Sequence, residues 1–251
     1  MEKKLSKALV PKNFIPGKDY YIYVSKSENI LSPERKSSSD IRKSGLTLIG
    51  GFHTLCADVG GIPGHPLSGY CAGDILPNSV WNLRHRARCL NNDGMVYSPL
   101  DNIWVDIYLP SDTGEKTASV FHGNITNNRL YADFAADAKK KKKRLLTHEE
   151  FINAANGSNE MTNIKGSTFP GTTGGHVDTC GRRMISGIGC EDMCGVIWQW
   201  LSTPDPSNDD LPLLAGGNWS HGAFCGSRFR GARSRWAAST YIGARFASEP
   251  M

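Results

Sequence analysis

The chain has 251 residues, a formal net charge of +5, 39% hydrophobic residues and 27 glycines. This is enough for one large domain, or one and a half ordinary ones, and the glycine content favours a turn-rich fold over a helical bundle. No stretch approaches the roughly 20 apolar residues of a membrane span, and the basic start lacks the apolar run of a secretory signal. Much of the excess positive charge sits in one run from Lys139 to Arg144, so a general affinity for nucleic acid does not follow.

In chain order, residues 1–45 form a distinct opening. "YYIYV" (Tyr20 to Val24) is a strand, and the Ser/Lys-rich segment after it reads as an arm or linker with room for one hairpin. "LTLIGGFHTL" (Leu46 to Leu55) predicts a strand bulged at Gly50-Gly51, and "GGIPGHPLSGY" predicts a loop. "ILPNSVWNL" and "NIWVDIYL" are β-rich, the second alternating like a half-buried strand. "RLYADFAADAKKKKKRLL" places Leu130, Phe134, Ala135 and Ala138 at helical spacing, with the lysines as a solvated C-terminal end that suits the helix dipole. Thr147 and Glu150 form a capping box, so a second helix should start at His148. A Gly/Thr/Ser/Asn-rich loop follows from Asn156 to Thr179. Val196 to Leu201 is a dense apolar strand, and "TPDPSNDD" reads as a surface turn.

Catalytic signatures do not emerge. The glycine-rich loop around His65 has no Lys-Ser/Thr ending for a phosphate, no His-Glu-x-x-His helix occurs, and the serines lack nucleophile-elbow spacing. The seven cysteines (Cys56, Cys71, Cys89, Cys180, Cys190, Cys194, Cys225) are odd in number and widely spread, which suits reduced buried thiols. Zinc at Cys180, Cys190 and Cys194 is the alternative, but the spacing matches no standard ligand pattern. Together these features favour a binding protein over an enzyme.

The closing stretch, Gly216 to Phe246, is the most unusual. It holds five arginines, six glycines and six aromatic residues, without Lys, Asp, Glu, Gln, Met, Leu, Val or Pro. Three segments in order carry a resemblance. They are Arg144-Leu145-Leu146-Thr147 with Glu150, Phe151, Ala154 and Ala155; Asp192-Met193 with Gly195, Trp198 and Trp200; and Gly216-Gly217 with Trp219, ending in Ile242, Gly243 and Arg245. Over roughly residues 130–250 they resemble the formylglycine-generating-enzyme-like branch of the C-type lectin fold. That implies an α+β, loop-rich domain over 46–251, with 1–45 as an N-terminal attachment module. The copper-oxidase members of that branch use paired cysteines in the closing segment, where this chain has Cys225 alone, so the oxidase is the lesser reading. A lectin-like structural module without diversification is the other alternative.

The closing segment is similar to the variable region, here about 216–246, of diversity-generating retroelement proteins, among them phage receptor-binding proteins that set host tropism. In that system adenines are randomised, so template Asn codons become any codon ending in a pyrimidine, which cannot encode Lys, Glu, Gln, Met or Trp. The resemblance implies ten diversified, ligand-binding positions: Ser220, His221, Phe224, Phe229, Gly231, Arg233, Ser234, Ala237, Ser239 and Tyr241. Trp236 would be a fixed contact. Trp219, Arg228, Arg230, Arg245, Trp198 and Trp200 would be scaffold, with the arginines inside and bonded to backbone carbonyls. The implied partners are a protein or glycan on a host-cell surface and, through the N-terminal module, phage tail proteins; nucleic acid and membrane are not implied. No catalytic residue, metal or cofactor is expected, with structural calcium left open. The implied location is the virion, with a bacterial cytoplasm or cell surface as the alternative.

Overall fold

The computed structural model describes residues 13–25 and 29–251. Strands β1 (Asp19–Val24) and β2 (Asn29–Ser32) form an antiparallel hairpin, followed by the short helix α1 (Ser38–Ser44). Then β3 (Thr47–His53) returns along β1, and β4 (Trp81–Asn82) completes a sheet of order β2-β1-β3-β4. This sheet runs across residue 45, where composition placed a boundary. Its β-branched and aromatic side chains bury on the shared face: Tyr21, Tyr23 and Leu46 pack together, with Ile30 and Leu48 at the edge. The bulge falls at Ile49, because Ile22 pairs with Gly50 and Tyr23 with Leu48. It therefore lies one residue before the expected glycine pair.

Next come β5 (Met95–Ser98), β6 (Ile103–Asp106), β7 (Pro110–Ser111) and β8 (Ala118–Ser119), then helix α2 (Tyr131–Lys140), β9 (Arg144–Leu145) and helix α3 (His148–Ala155). The chain closes with β10 (Trp198–Asp205), β11 (Asn208–Gly216), β12 (Gly226–Ala232), β13 (Ile242–Ala244) and β14 (Phe246–Ser248). They build two further four-stranded sheets, β12-β11-β10-β13 and β5-β6-β14-β9, with β7-β8 a separate ribbon. A large apolar cluster joins them through Val96, Val105, Phe151, Ile185, Leu201 and Ala247.

Several expectations hold at residue level. Thr147 caps α3: its hydroxyl accepts from Glu150 N at 3.2 Å, and the Glu150 carboxylate accepts from Thr147 N at 2.8 Å. Phe134 and Ala138 of α2 are buried against Trp200 and Phe246. Leu130, however, is the residue before the first turn of α2, whose open end is held by Asp133 Oδ2 accepting from Leu130 N at 3.1 Å. Other expectations are corrected. The polar segment contains α1, signalled by Ser37, which accepts from Asp40 N, and by the left-handed Gly45 after its end. "TPDPSNDD" does hold the expected surface turn, but most of it is strand: it is the tip of the β10–β11 hairpin, whose strands continue to within two residues of each other. β6 is buried on both faces, since Ile103 and Val105 pack into the large apolar cluster while Trp104, on the other face, packs with Trp81, Cys89 and Met95. Lys143 is not solvated: its Nζ donates to Asp106 Oδ1 at 2.6 Å, and both side chains are almost wholly covered.

Arg245 holds the two larger sheets together. It sits between β13, which pairs in parallel with β10, and β14, which pairs with β6 and β9. Its side chain is fully buried. Nη1 donates to Asp106 O and Ile107 O, each at 2.7 Å, Nη2 to Glu191 O at 2.6 Å, and Nε to Gln199 Oε1 at 3.0 Å. Three are backbone carbonyls and one is a side-chain amide oxygen, and one guanidinium fork reaches all four; the Ile107 carbonyl is shared with Glu191 N, which donates to it at 2.8 Å. Arg245→Met should therefore destabilise by on the order of 4 kcal/mol, and Arg245→Lys by about half as much, since an ammonium has three donors and no planar fork. Urea denaturation midpoints of the three proteins check this ranking; equal midpoints for Arg245→Lys and the parent would show that charge alone suffices.

Candidate ligand-binding surface

The expected variable region starts where β11 ends and includes β12 and the turns to β13. Residues outside the ten candidate positions fix its backbone. Buried Asn218 is the first clamp: its Oδ1 accepts from Ser220 N at 2.8 Å and from Ser220 Oγ at 3.0 Å, while its carbonyl accepts from His221 N at 3.1 Å. Asn163, from the long Gly/Thr loop, donates its side-chain amide to Trp219 O. Glu160, from the same loop, accepts from Ser227 N through both oxygens at 3.0 and 3.2 Å. Farther on, Asn127 Nδ2 donates to Thr240 O at 3.0 Å and Asn128 N to Ser239 O at 3.0 Å. Arg235 ties the turn to the hairpin tip through Asp209 O and Asp210 O, each at 3.3 Å.

Close approach of backbone segments demands glycine at two positions. A Cβ on Gly217, whose φ is +79°, would lie 2.6 Å from Cys225 Sγ and 2.7 Å from Phe224 O; one on Gly226 would overlap the Glu160 carboxylate. Cys225 is itself part of this packing. It is fully buried, its thiol donates to Asn218 O, and burial pushes its pKa up to about 12, so it is a neutral thiol at pH 7. Among the described residues, no three His, Cys, Asp or Glu side chains are grouped to hold a metal ion. Cys180 is exposed, whereas Cys190 and Cys194 are buried.

None of the ten candidate positions is buried. Ser220, His221, Phe224, Arg233, Ser234 and Tyr241 are exposed, and Phe229, Gly231, Ala237 and Ser239 are partly so. Six of them, Ser220, His221, Gly231, Arg233, Ser239 and Tyr241, line one depression of about 420 Å³ floored by Trp198, Leu214 and Ile242. Two ring pairs shape it: Tyr241 stacks on Trp219 with centroids 4.9 Å apart, and His221 stands edge-on to Trp198 at 5.6 Å. Phe224 and Phe229 pack edge to face at 6.2 Å, outside that depression, as are Ser234 and Ala237. Trp236 is 74% exposed.

The scaffold set divides. Arg245 and Trp200 are fully buried. Trp198 and Trp219 are half-buried, and Trp198 faces the depression. Arg228 and Arg230 are exposed, contrary to the expectation of core arginines. They are two residues apart on β12, so the two-residue period of a strand sends both to the same open face. Sequence reasoning missed Asn218, Asn163, Glu160 and Asn127. Asn218 carries a local signal, an Asn two residues before the Ser it caps; the other three lie far off in sequence and have none.

The three packed sheets, two principal helices and long loops held by a buried arginine form an α+β domain of the C-type lectin fold. Residues 4–82 match the family model described as Mtd second domain. Among solved structures, the U1 variant of Major Tropism Determinant aligns with a TM-score of 0.78 at 21% identity, over 94% of this chain and 73% of that one. Its I1 variant aligns at 0.78 and 22% identity, and the M1 variant at 0.77 and 21%, over the same shares. No curated sequence matches the chain. At these identities the likeness establishes the fold. No helix among the described residues is long and apolar enough to cross a membrane.

The separation of clamp and display positions is measurable. Gly217→Ala should destabilise by about 2 kcal/mol or more, through left-handed backbone strain and overlap with Cys225. Gly231→Ala, where a Cβ meets nothing within 4 Å, should stay within about 0.5 kcal/mol of the parent. Thermal melts of the two variants decide it; equal losses would place Gly231 among the structural positions.

Proposed function

We propose that this chain is a retroelement-diversified receptor-binding protein of a phage tail, which recognises a molecule on the host-cell surface without catalysis or cofactor. One observation carries the reading: none of the ten candidate diversified positions is buried, while the backbone beneath them is held by Asn218, Asn163, Glu160, Asn127 and Arg245, which lie outside the ten. A surface meant to accept arbitrary side chains needs this independence, because its fold cannot depend on any of them. The likeness in fold to tropism-determinant variants supports the same role. In this reading His221, Arg233 and Tyr241 supply contact area and hydrogen bonds around the depression, and Ser220, Gly231 and Ser239 leave it open, as in antibody loops. The N-terminal part, which matches a domain of the same family, joins the chain to the tail.

The coding DNA tests the origin of the surface. The ten codons should end in C or T, and a near-identical, adenine-rich copy of the segment should lie close by with a reverse-transcriptase gene. Purine-ending codons at most of the ten positions, or no such copy, would sink the proposal. At the protein level, Ser220→Ala and Tyr241→Ala should each cost about 1 kcal/mol of stability or less, because their side chains border solvent. Trp219→Ala should cost about 3 kcal/mol, because it removes the platform under Tyr241 and the contacts with the cluster around Ile164 and Val196. Chemical denaturation of the three variants checks the order.

A further inference from the structure

Away from the display face, a cavity of about 540 Å³ lies in the seam between the N-terminal sheet and the β5-β6-β14-β9 body. This is within the roughly 300–1,000 Å³ of small-ligand sites. None of the ten candidate diversified positions lines it. Its walls come from β1, the segment after β2, the loop before β5, the turn after β8 and the lysine turn after α2, so it exists only in the folded chain.

The lining is built and not merely wet. Asp19, deep in the wall, accepts from Gly94 N through both oxygens at 3.1 and 3.0 Å and meets His53 Nδ1 at 2.9 Å. The other nitrogen of His53 meets the Tyr108 hydroxyl at 3.1 Å, and the ring of His53 is almost wholly covered. Lys143 is committed to Asp106, and Lys141 donates to Glu115 O. The groups facing the open space are the Asp93 carboxylate, which the Tyr21 hydroxyl also approaches, and its ion-pair partner Arg35, 3.5 Å away, each a little over one-third exposed, with His122 and the ring of Phe121 beside them.

We propose that this cavity binds a neutral saccharide unit. The charge pattern selects the class. Acidic Asp19 and Asp93 alternate with basic Lys18, Arg35, Lys141 and the Asp106-paired Lys143, so an ion of either sign meets like charge beside opposite charge. A neutral ligand rich in hydroxyls meets a donor fork and an acceptor fork side by side. The guanidinium and the carboxylate each present two atoms in a plane, as paired contacts to adjacent hydroxyls require. Partial burial raises the Asp93 carboxyl above its usual range, with Asp19 adding to the effect; hydroxyl donors would restore what water no longer supplies. Phe121 offers an apolar face for the C–H side of a pyranose ring. The site would take a constant sugar while the other face varies.

The experiment is an amide-resolved NMR titration of the full chain with glucose, galactose, mannose, N-acetylglucosamine, lactose and maltose, with inorganic phosphate and calcium chloride as charged comparisons. At least one sugar should shift the amides of Arg35, Asp93 and His122 with a Kd of about 1 mM or tighter. Asp93→Ala and Arg35→Ala, each altering a half-exposed side chain, should weaken that binding by about tenfold or more with the melting curve unchanged. Asp93→Asn should retain part of it, and Tyr241→Ala all of it. The proposal is overturned if no sugar moves these amides at about 50 mM, far above the expected Kd. It is equally overturned if both alanine variants bind as the parent does, or if phosphate or calcium occupies the site more tightly than any sugar.

Discussion

The guanidinium of Arg245 is the constraint on which the rest depends. The chain passes from the sheet that carries the display segment to the sheet that forms the body at this one residue. Its four hydrogen bonds reach the end of β6, the Glu191 carbonyl and Gln199 on β10. A hydrophobic side chain of equal volume would fill the space but remove these donors, leaving the Ile107 carbonyl only its bond from Glu191 N, which costs more than the packing gains. The neighbouring polar groups extend the same logic. Arg183 pairs with Glu191 at 2.7 Å, and Asp192 accepts from Gly174 N and meets His176. A polar spine therefore runs through a core that is otherwise apolar, and it fixes where the long loops begin and end.

That spine bears on how a variable surface can be tolerated. The display segment is closed at one end by Arg245 and at the other by Gly216 and Gly217, where backbone segments approach too closely for any side chain. Between them the clamps are Asn163, Glu160 and Asn127 from distant loops and Asn218 of the segment itself, each bonded to backbone atoms of the display segment. Backbone atoms are the same whatever side chain is present. Under the proposed function, the depression lined by Ser220, His221, Arg233 and Tyr241 would have a constant floor at Trp198 and a replaceable rim.

The fold was partly legible in the sequence. Thr147 and Glu150 announced α3 because a capping box is a local device, and the aromatic run Tyr20–Val24 announced β1. The Gly50-Gly51 pair placed the bulge to within a residue. What misled was non-local. Lys143 looked like one more solvated lysine until Asp106, far off in sequence, covered it. Arg228 and Arg230 looked like Arg245, since composition does not say which face of a strand an arginine takes. α1 was hidden in a polar segment whose caps, Ser37 and Gly45, are visible only when read as a pair.

The sequence by itself determined the fold class, through three ordered motifs, and the unusual make-up of the closing stretch, which lacks Lys, Glu, Gln and Met. Both are properties of residue identity and order. Tertiary structure alone decided which residues hold the display segment. Asn163, Glu160 and Asn127 act on it from parts of the chain 56 to 113 residues away. It also decided that six of the ten positions share one depression, and that a cavity forms where the N-terminal sheet meets the body. The physical reason is the same in each case: a hydrogen bond or a cavity wall depends on where two chain segments meet, and no local pattern encodes that meeting.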